Sequence, residues 1–175
     1  MSLARRFLEW ASQLLPRPRV ITDLDGSPPY LSRFYLLGRP RMPDGSDPFD
    51  RFGAIRAGAV EGERFGVYLH RFHRGDMDRE LHNHPWRWSF SLILAGGYIE
   101  ERRSGNQVNT RAVFPGSINW LSQDTFHRVE LLDGEAWSLF VAGPKVQSWG
   151  FWDRVTGAFT PWREYIARTR AERAR

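Results

Sequence analysis

The sequence predicts an all-β fold, a sandwich or jelly-roll barrel, with a short helix at each end. Three observations lead there. From Gly66 to Val141 the chain runs in short stretches rich in Val, Ile, Leu, Phe and Tyr, separated by Gly, Asn, Asp and Ser, without a helical period. Leu3, Phe7, Trp10 and Leu14 recur at helical spacing, so residues 3 to 15 read as an amphipathic helix ended by Pro16-Arg17-Pro18. Pro161 stands where a second helix can start ahead of Arg163 to Arg175.

A chain of 175 residues suits one domain better than two. The expected organisation is a single domain over 1–175, with its core at about 53–145. An N-terminal helix lies within 1–18, and an aromatic cover with a C-terminal helix fills 146–175. Apolar residues make up 41%, with 12 Phe, 8 Trp and 5 Tyr, which is enough to bury a core and argues against disorder. Cysteine is absent, so disulfides and thiolate zinc sites are excluded and any metal must be held by His, Asp or Glu. No stretch approaches the roughly 20 apolar residues of a membrane span, and a cytoplasmic protein with no membrane partner is expected.

Net charge is +5, yet the arginines are scattered. Their densest run, Arg163, Arg168, Arg170, Arg173 and Arg175, reads as a solvated helix face or, alternatively, a surface for an acidic partner. No nucleic-acid partner is expected.

Between Val20 and Phe52, turn chemistry at Asp25-Gly26-Ser27-Pro28-Pro29 and from Pro40 to Pro48 leaves room for one strand or two. Eight strands are expected afterwards: Phe65 to Phe72, Glu80 to His84, Trp88 to Leu94, Tyr98 to Arg102, Thr110 to Phe114, Ile118 to Leu121, His127 to Leu132 and Ala136 to Ala142. Gly96-Gly97 reads as a tight hairpin, because paired glycines accept the positive φ of such turns. Beyond Gly143-Pro144, the aromatic stretch Ser148 to Trp152 and Pro161-Trp162 are expected to cover the barrel's flank.

His82 and His84 are two apart, so on a strand both imidazoles leave from one face and can converge on one ion, while Asn83 points the other way. The pair alone is a weak signal, since exposed strands carry such repeats by chance. Four residues separate His84 from Ser89, six more separate Ser89 from Gly96, and Gly75 precedes the pair. Downstream, Pro115-Gly116 opens a stretch that reaches His127.

Over Gly75 to Leu131 this pattern resembles the two motifs of the cupin family. The resemblance implies a cupin double-stranded β-helix, the jelly-roll barrel, with a metal held by His82, His84 and His127. The family's motif glutamate is replaced here by Ser89, a poorer ligand, and Ser122 and Asp124 stand where proline and glycine are common. Some cupins resembling dioxygenases bind iron through three histidines without a carboxylate. The implied function is therefore a metal-dependent small-molecule enzyme of dioxygenase type, using a divalent transition metal, Fe(II) ahead of Zn, Mn or Ni. Two alternatives stay open: a non-catalytic ligand-binding or sensor cupin, and a metal-free jelly roll like the sugar epimerases, with histidine as base.

If Gly96-Gly97 is a two-residue hairpin, Ile93 faces Glu100, and Glu100 shares the inward face with Ser89 and Ser91. Glu100 is thus the candidate catalytic residue, as a distant ligand, an acceptor for a histidine N–H or an acid/base group; the alternative is an edge glutamate in solvent. Trp86, Trp88, Ser89 and Trp120 are candidates for a substrate pocket beside the histidines, or else for core packing. His70 shares parity with Tyr68 and Phe72 and belongs to the core or beside the site; His73 belongs to a polar turn. Asp76, Asp78, Arg79 and Glu80 lack calcium-loop spacing. No nucleophile elbow or phosphate loop is present. The expected partners are a small-molecule ligand and a second copy in a homodimer.

Overall fold

The structure, a computed structural model, describes residues 2–22, 29–50, 55–60, 65–76 and 80–173. The expected turn at Asp25 to Pro28, the core boundary at Gly53, and Asp78, Arg79 and Arg175 lie outside the described residues.

In chain order the elements are α1 (Leu3–Ser12), β1 (Arg19–Ile21), β2 (Leu31–Leu37), β3 (Gly66–Phe72), β4 (Leu81–His82), β5 (Trp88–Ala95) and β6 (Tyr98–Ser104). There follow β7 (Gln107–Val113), β8 (Ile118–Ser122), β9 (His127–Leu131), β10 (Ala136–Ala142), β11 (Gly150–Trp152), β12 (Phe159–Pro161) and α2 (Trp162–Arg173). Two antiparallel sheets form, ordered β1-β2-β3-β10-β5-β8 and β12-β11-β4-β9-β6-β7. From β3 to β10 every connection crosses to the other sheet except the β6–β7 hairpin, which is the winding of two interlocked Greek keys. The fold is a jelly roll.

That winding corrects the expected hairpin at Gly96-Gly97. Both edges of β5 are occupied, by β10 and β8, so the chain must leave the sheet, and β6 pairs with β7 and β9 instead. Gly96 takes φ +74° at this corner, and a Cβ there would lie 2.3 Å from the Glu135 carbonyl oxygen. The two-residue hairpin is found at Gly105-Asn106, where Ser104 pairs with Gln107 and Gly105 has φ +61°.

The β4 strand is shorter than expected. Its ladder ends at His82, although the Asn83 N–H still donates to the Gly150 carbonyl at 3.1 Å. The aromatic stretch at the C-terminal end is a strand and not merely a cover: β11 pairs with β4, extending the sheet that carries the histidines. Pro161 closes β12, and α2 starts one residue later.

Helix α1 packs on the outside of the domain, though not by the apolar stripe that defines it in the sequence. Leu8 and Leu15 meet Phe34, Leu69, Ala95 and Trp137 on the outer face of the first sheet, whereas Leu3, Phe7, Trp10 and Leu14 are exposed. Polar contacts set this rotation: Arg5 Nη2 donates to the Glu135 carbonyl at 3.0 Å, and Arg71 pairs with Glu9 at 3.2 Å.

Between the sheets lie two apolar clusters. Tyr35, Phe49, Tyr68, Trp86, Leu121, Phe140 and Ala142 form one, and Ile93, Tyr98, Val113, Val129 and Ala136 the other. Asn119 and Glu100, each one inward position from Leu121 and Tyr98, are buried polar residues. No helix among the described residues is long and apolar enough to cross a membrane.

Candidate metal centre

Strand pairing brings the three histidines together. His82 lies between Phe151 of β11 and His127 of β9 in the ladder, and His84 follows two residues beyond. The ring centroids of His82 are 5.2 Å from both His84 and His127, and those of His84 and His127 are 5.1 Å apart. One nitrogen from each ring lies within 4.8 Å of the others. His84 Nε2 and His127 Nε2 are 2.9 Å apart.

His82 and His84 are held as neutral nitrogen donors. Burial pushes His82 down to about 4, an effect strengthened by His127 and opposed by Asp76. Burial likewise holds His84 well below its ordinary 6.5, with His127, His82, Arg33 and His70 acting in the same direction. Three convergent imidazoles with available lone pairs fit a divalent transition ion.

Glu100 anchors the third ring. Its side chain is 0% exposed, and Oε1 accepts from His127 Nδ1 at 2.8 Å. With the proton on Nδ1, His127 Nε2 presents its lone pair toward His84. Oε1 also accepts from Asn119 Nδ2 at 2.9 Å and Arg102 Nη2 at 3.0 Å, and Oε2 accepts from Arg111 Nε at 2.7 Å. Burial pushes the carboxyl up, but the hydrogen bonds from His127 and Asn119 and the charge of Arg102 outweigh it and hold Glu100 well below the carboxylate range. The Asn119 carbonyl oxygen takes hydrogen bonds from Arg102 at 2.6 Å and Arg111 at 2.5 Å, closing the network across the two sheets.

Aromatic rings surround the histidines. Trp149 and Phe151 lie 6.2 Å from His82, and Trp86 stacks on His84 at 5.5 Å. Trp88 and Trp120, expected in the pocket, stand on the outer face and stack on each other at 5.7 Å. Alternation decides this: Ser89 and Leu121 point inward, so their neighbours point out, and Trp120 is 54% exposed. Ser89 is buried opposite Ala142 and Leu121, and its Oγ has no hydrogen-bond partner among the described residues. It does not line the cavity described below.

His70 is buried between Tyr68 and Phe140, 5.8 and 4.9 Å away, and its Nε2 accepts from Arg33 Nε at 2.9 Å. His73 bonds Ser32 Oγ at 2.8 Å in the turn after β3. Three residues of the site escaped sequence reasoning. Asn83 joins β11 to the loop before β9, its Oδ1 accepting from Gly150 N at 2.9 Å and its Nδ2 donating to the Gln123 carbonyl at 3.1 Å. Asn119 shares inward parity with Leu121, and Arg33 with Leu31 and Tyr35; that alternation was the available signal for both.

No family model matches the sequence, nor does any curated protein. Solved structures do resemble it in shape. DMSP lyase DddQ from Ruegeria pomeroyi DSS-3 is 14% identical, with 77% of this chain and 53% of that chain covered and a TM-score of 0.45. A recombinant oxalate oxidase in complex with glycolate is 12% identical, covering 75% and 59%, with a TM-score of 0.46. KdgF from Halomonas sp. is 12% identical, covering 67% and 82%, with a TM-score of 0.41. The chain spans about half the length of the DMSP lyases it matches.

Proposed function

We propose that the chain is a metal-binding cupin, an enzyme of dioxygenase type acting on a small molecule, with His82, His84 and His127 holding a divalent transition metal, Fe(II) ahead of Zn, Mn or Ni. The observation that carries this reading is the convergence of His84 and His127 Nε2 at 2.9 Å while Glu100 accepts the hydrogen bond of His127 Nδ1–H. When bound, such an ion supplies a Lewis acid and, if it is iron, redox chemistry toward O₂.

The chain's own residues prepare that chemistry. Glu100 fixes the tautomer of His127 and orients its ring. Because its oxygens are engaged by His127, Asn119, Arg102 and Arg111 and the carboxyl stays ionised, Glu100 acts as a positioning residue and not as the acid/base group. Trp86, Trp149 and Phe151 keep bulk water away from the rings.

Elemental analysis tests the reading. Protein purified anaerobically without a His-tag should carry near-stoichiometric transition metal, lost in the His82→Ala/His84→Ala variant, and should consume O₂ with its substrate. Protein that is metal-free and takes up no Fe(II), Zn(II) or Mn(II) would sink it.

A further inference from the structure

Beside the histidines a cavity of about 480 Å³ opens at the side chain of Arg33, within the range of small-molecule pockets. Arg33 lies on β2 directly opposite His70 and on the inward face with Leu31 and Tyr35. Its guanidinium carbon is 4.7 Å from the Tyr68 ring and 5.6 Å from the Trp86 ring, so two aromatic faces fix its plane. Nε is committed to His70 Nε2. Tyr35 is a further side-chain hydrogen-bond partner of the guanidinium, and no carboxylate among the described residues pairs with this cation.

Among the described residues the cavity is lined by Arg33, Arg19 and Lys145, together with Tyr35, Tyr68 and Trp86, and by no Asp or Glu. Burial lowers the pKa of Arg33 from its ordinary value, and Arg19 acts in the same direction. A partly desolvated guanidinium without a counterion is costly, and an anion that brings its own planar pair of oxygens answers that cost. Trp86 lines the cavity and also stacks on His84 at 5.5 Å, so one ring is the wall shared with the histidine cluster.

We infer that this cavity binds a small organic acid, its carboxylate paired with the Nη atoms of Arg33 and its apolar body against Tyr68, Trp86 and Phe65. That the bound acid is the substrate rests on the metal-centre reading; that it binds rests on the cavity alone. A carboxylate fits better than a compact tetrahedral anion because its plane can continue that of the guanidinium between the two rings.

Calorimetric titration of the metal-free full chain with benzoate, and with benzamide as its neutral analogue, tests the inference. Benzoate should bind at least about tenfold tighter than benzamide, and Arg33→Gln should weaken benzoate at least about tenfold while leaving benzamide unchanged. The wild-type comparison stands even if Arg33→Gln fails to fold. Absence of benzoate binding, equal affinity for the two probes, or a folded Arg33→Gln protein that binds benzoate as the wild type does would overturn it. Repeating the titration with His82→Ala/His84→Ala separates the two readings. Benzoate binding retained by this variant keeps the acid site independent of the histidines, and a wild-type chain that binds benzoate but takes up no metal loses the metal-centre reading alone. Metal uptake without benzoate binding does the reverse.

Discussion

His127 Nδ1 donates to Glu100 Oε1 at 2.8 Å, and this one contact joins the histidine cluster to an ion network spanning both sheets. Replacing Glu100 by Gln keeps the shape and removes the charge that Arg102 and Arg111 neutralise. Both arginines reach solvent, with 29% and 49% side-chain exposure, so the cost is expected to be about 2–3 kcal/mol, below that of breaking a fully buried pair. Metal affinity should fall roughly 10–100-fold as His127 loses its fixed tautomer. Urea unfolding and competition with a zinc chelator measure the two effects; unchanged affinity would remove Glu100 from the site.

Metal-free protein should lose stability as pH falls below about 6.5. His82 and His84 are held below that value in the fold, chiefly by burial, and so is His70, where the charge of Arg33 adds to burial. In the unfolded chain all three gain protons near 6.5, so unfolding takes up protons below that pH and becomes more favourable. For His82 the window runs from 6.5 to about 4, with a limiting slope of roughly 1.4 kcal/mol per pH unit for each such group. Urea midpoints at pH 7.5, 6 and 5 check this; a flat profile would contradict the burial of the rings.

Trp86 and Trp120 should behave oppositely. Trp86→Ala removes the ring stacked on His84 and part of a core cluster, at a cost of about 3–5 kcal/mol, and metal affinity falls with it. Trp120→Ala alters an outward stack on Trp88 and Phe90, so stability changes by about 1 kcal/mol and metal affinity stays within about twofold. Paired thermal melts and zinc titrations distinguish them. A large loss of affinity in Trp120→Ala would return that residue to the pocket.

Strands such as β5 and β10 were legible because they carry apolar alternation and are bounded by turn residues; β10 has the expected limits, Ala136–Ala142. The convergence of His82 and His84 was legible from their spacing, and His127 joined them only through the resemblance to the family's second motif. Sheet membership was not legible. Local turn chemistry at Gly96-Gly97 and Gly105-Asn106 is alike, and the occupation of both β5 edges by β8 and β10 is what distinguishes the corner from the hairpin. The α1 stripe misled for a related reason: periodicity shows that a helix has an apolar face, while the contacts of Arg5 and Glu9 decide which face meets the sheet. Three-residue β11 is too short to show a period, so its pairing with β4 could not be read.

Asn83 should matter through that pairing. Facing away from the histidines, its amide bridges Gly150 N and the Gln123 carbonyl, and Gln147 Nε2 donates to the same carbonyl at 2.7 Å and to the His84 carbonyl at 3.1 Å. Asn83→Ala leaves the buried Gly150 N–H without its side-chain acceptor, at a cost of about 1–3 kcal/mol. The loss concentrates in β11, since β4 offers it only two paired residues, so amide exchange at Gly150 to Trp152 should accelerate while β10 keeps its protection. Because Phe151 on this strand and Trp149 just before it lie against His82, metal affinity should fall as well, although Asn83 touches no histidine ring. Uniform acceleration across both sheets would instead mean that β11 opens only with global unfolding.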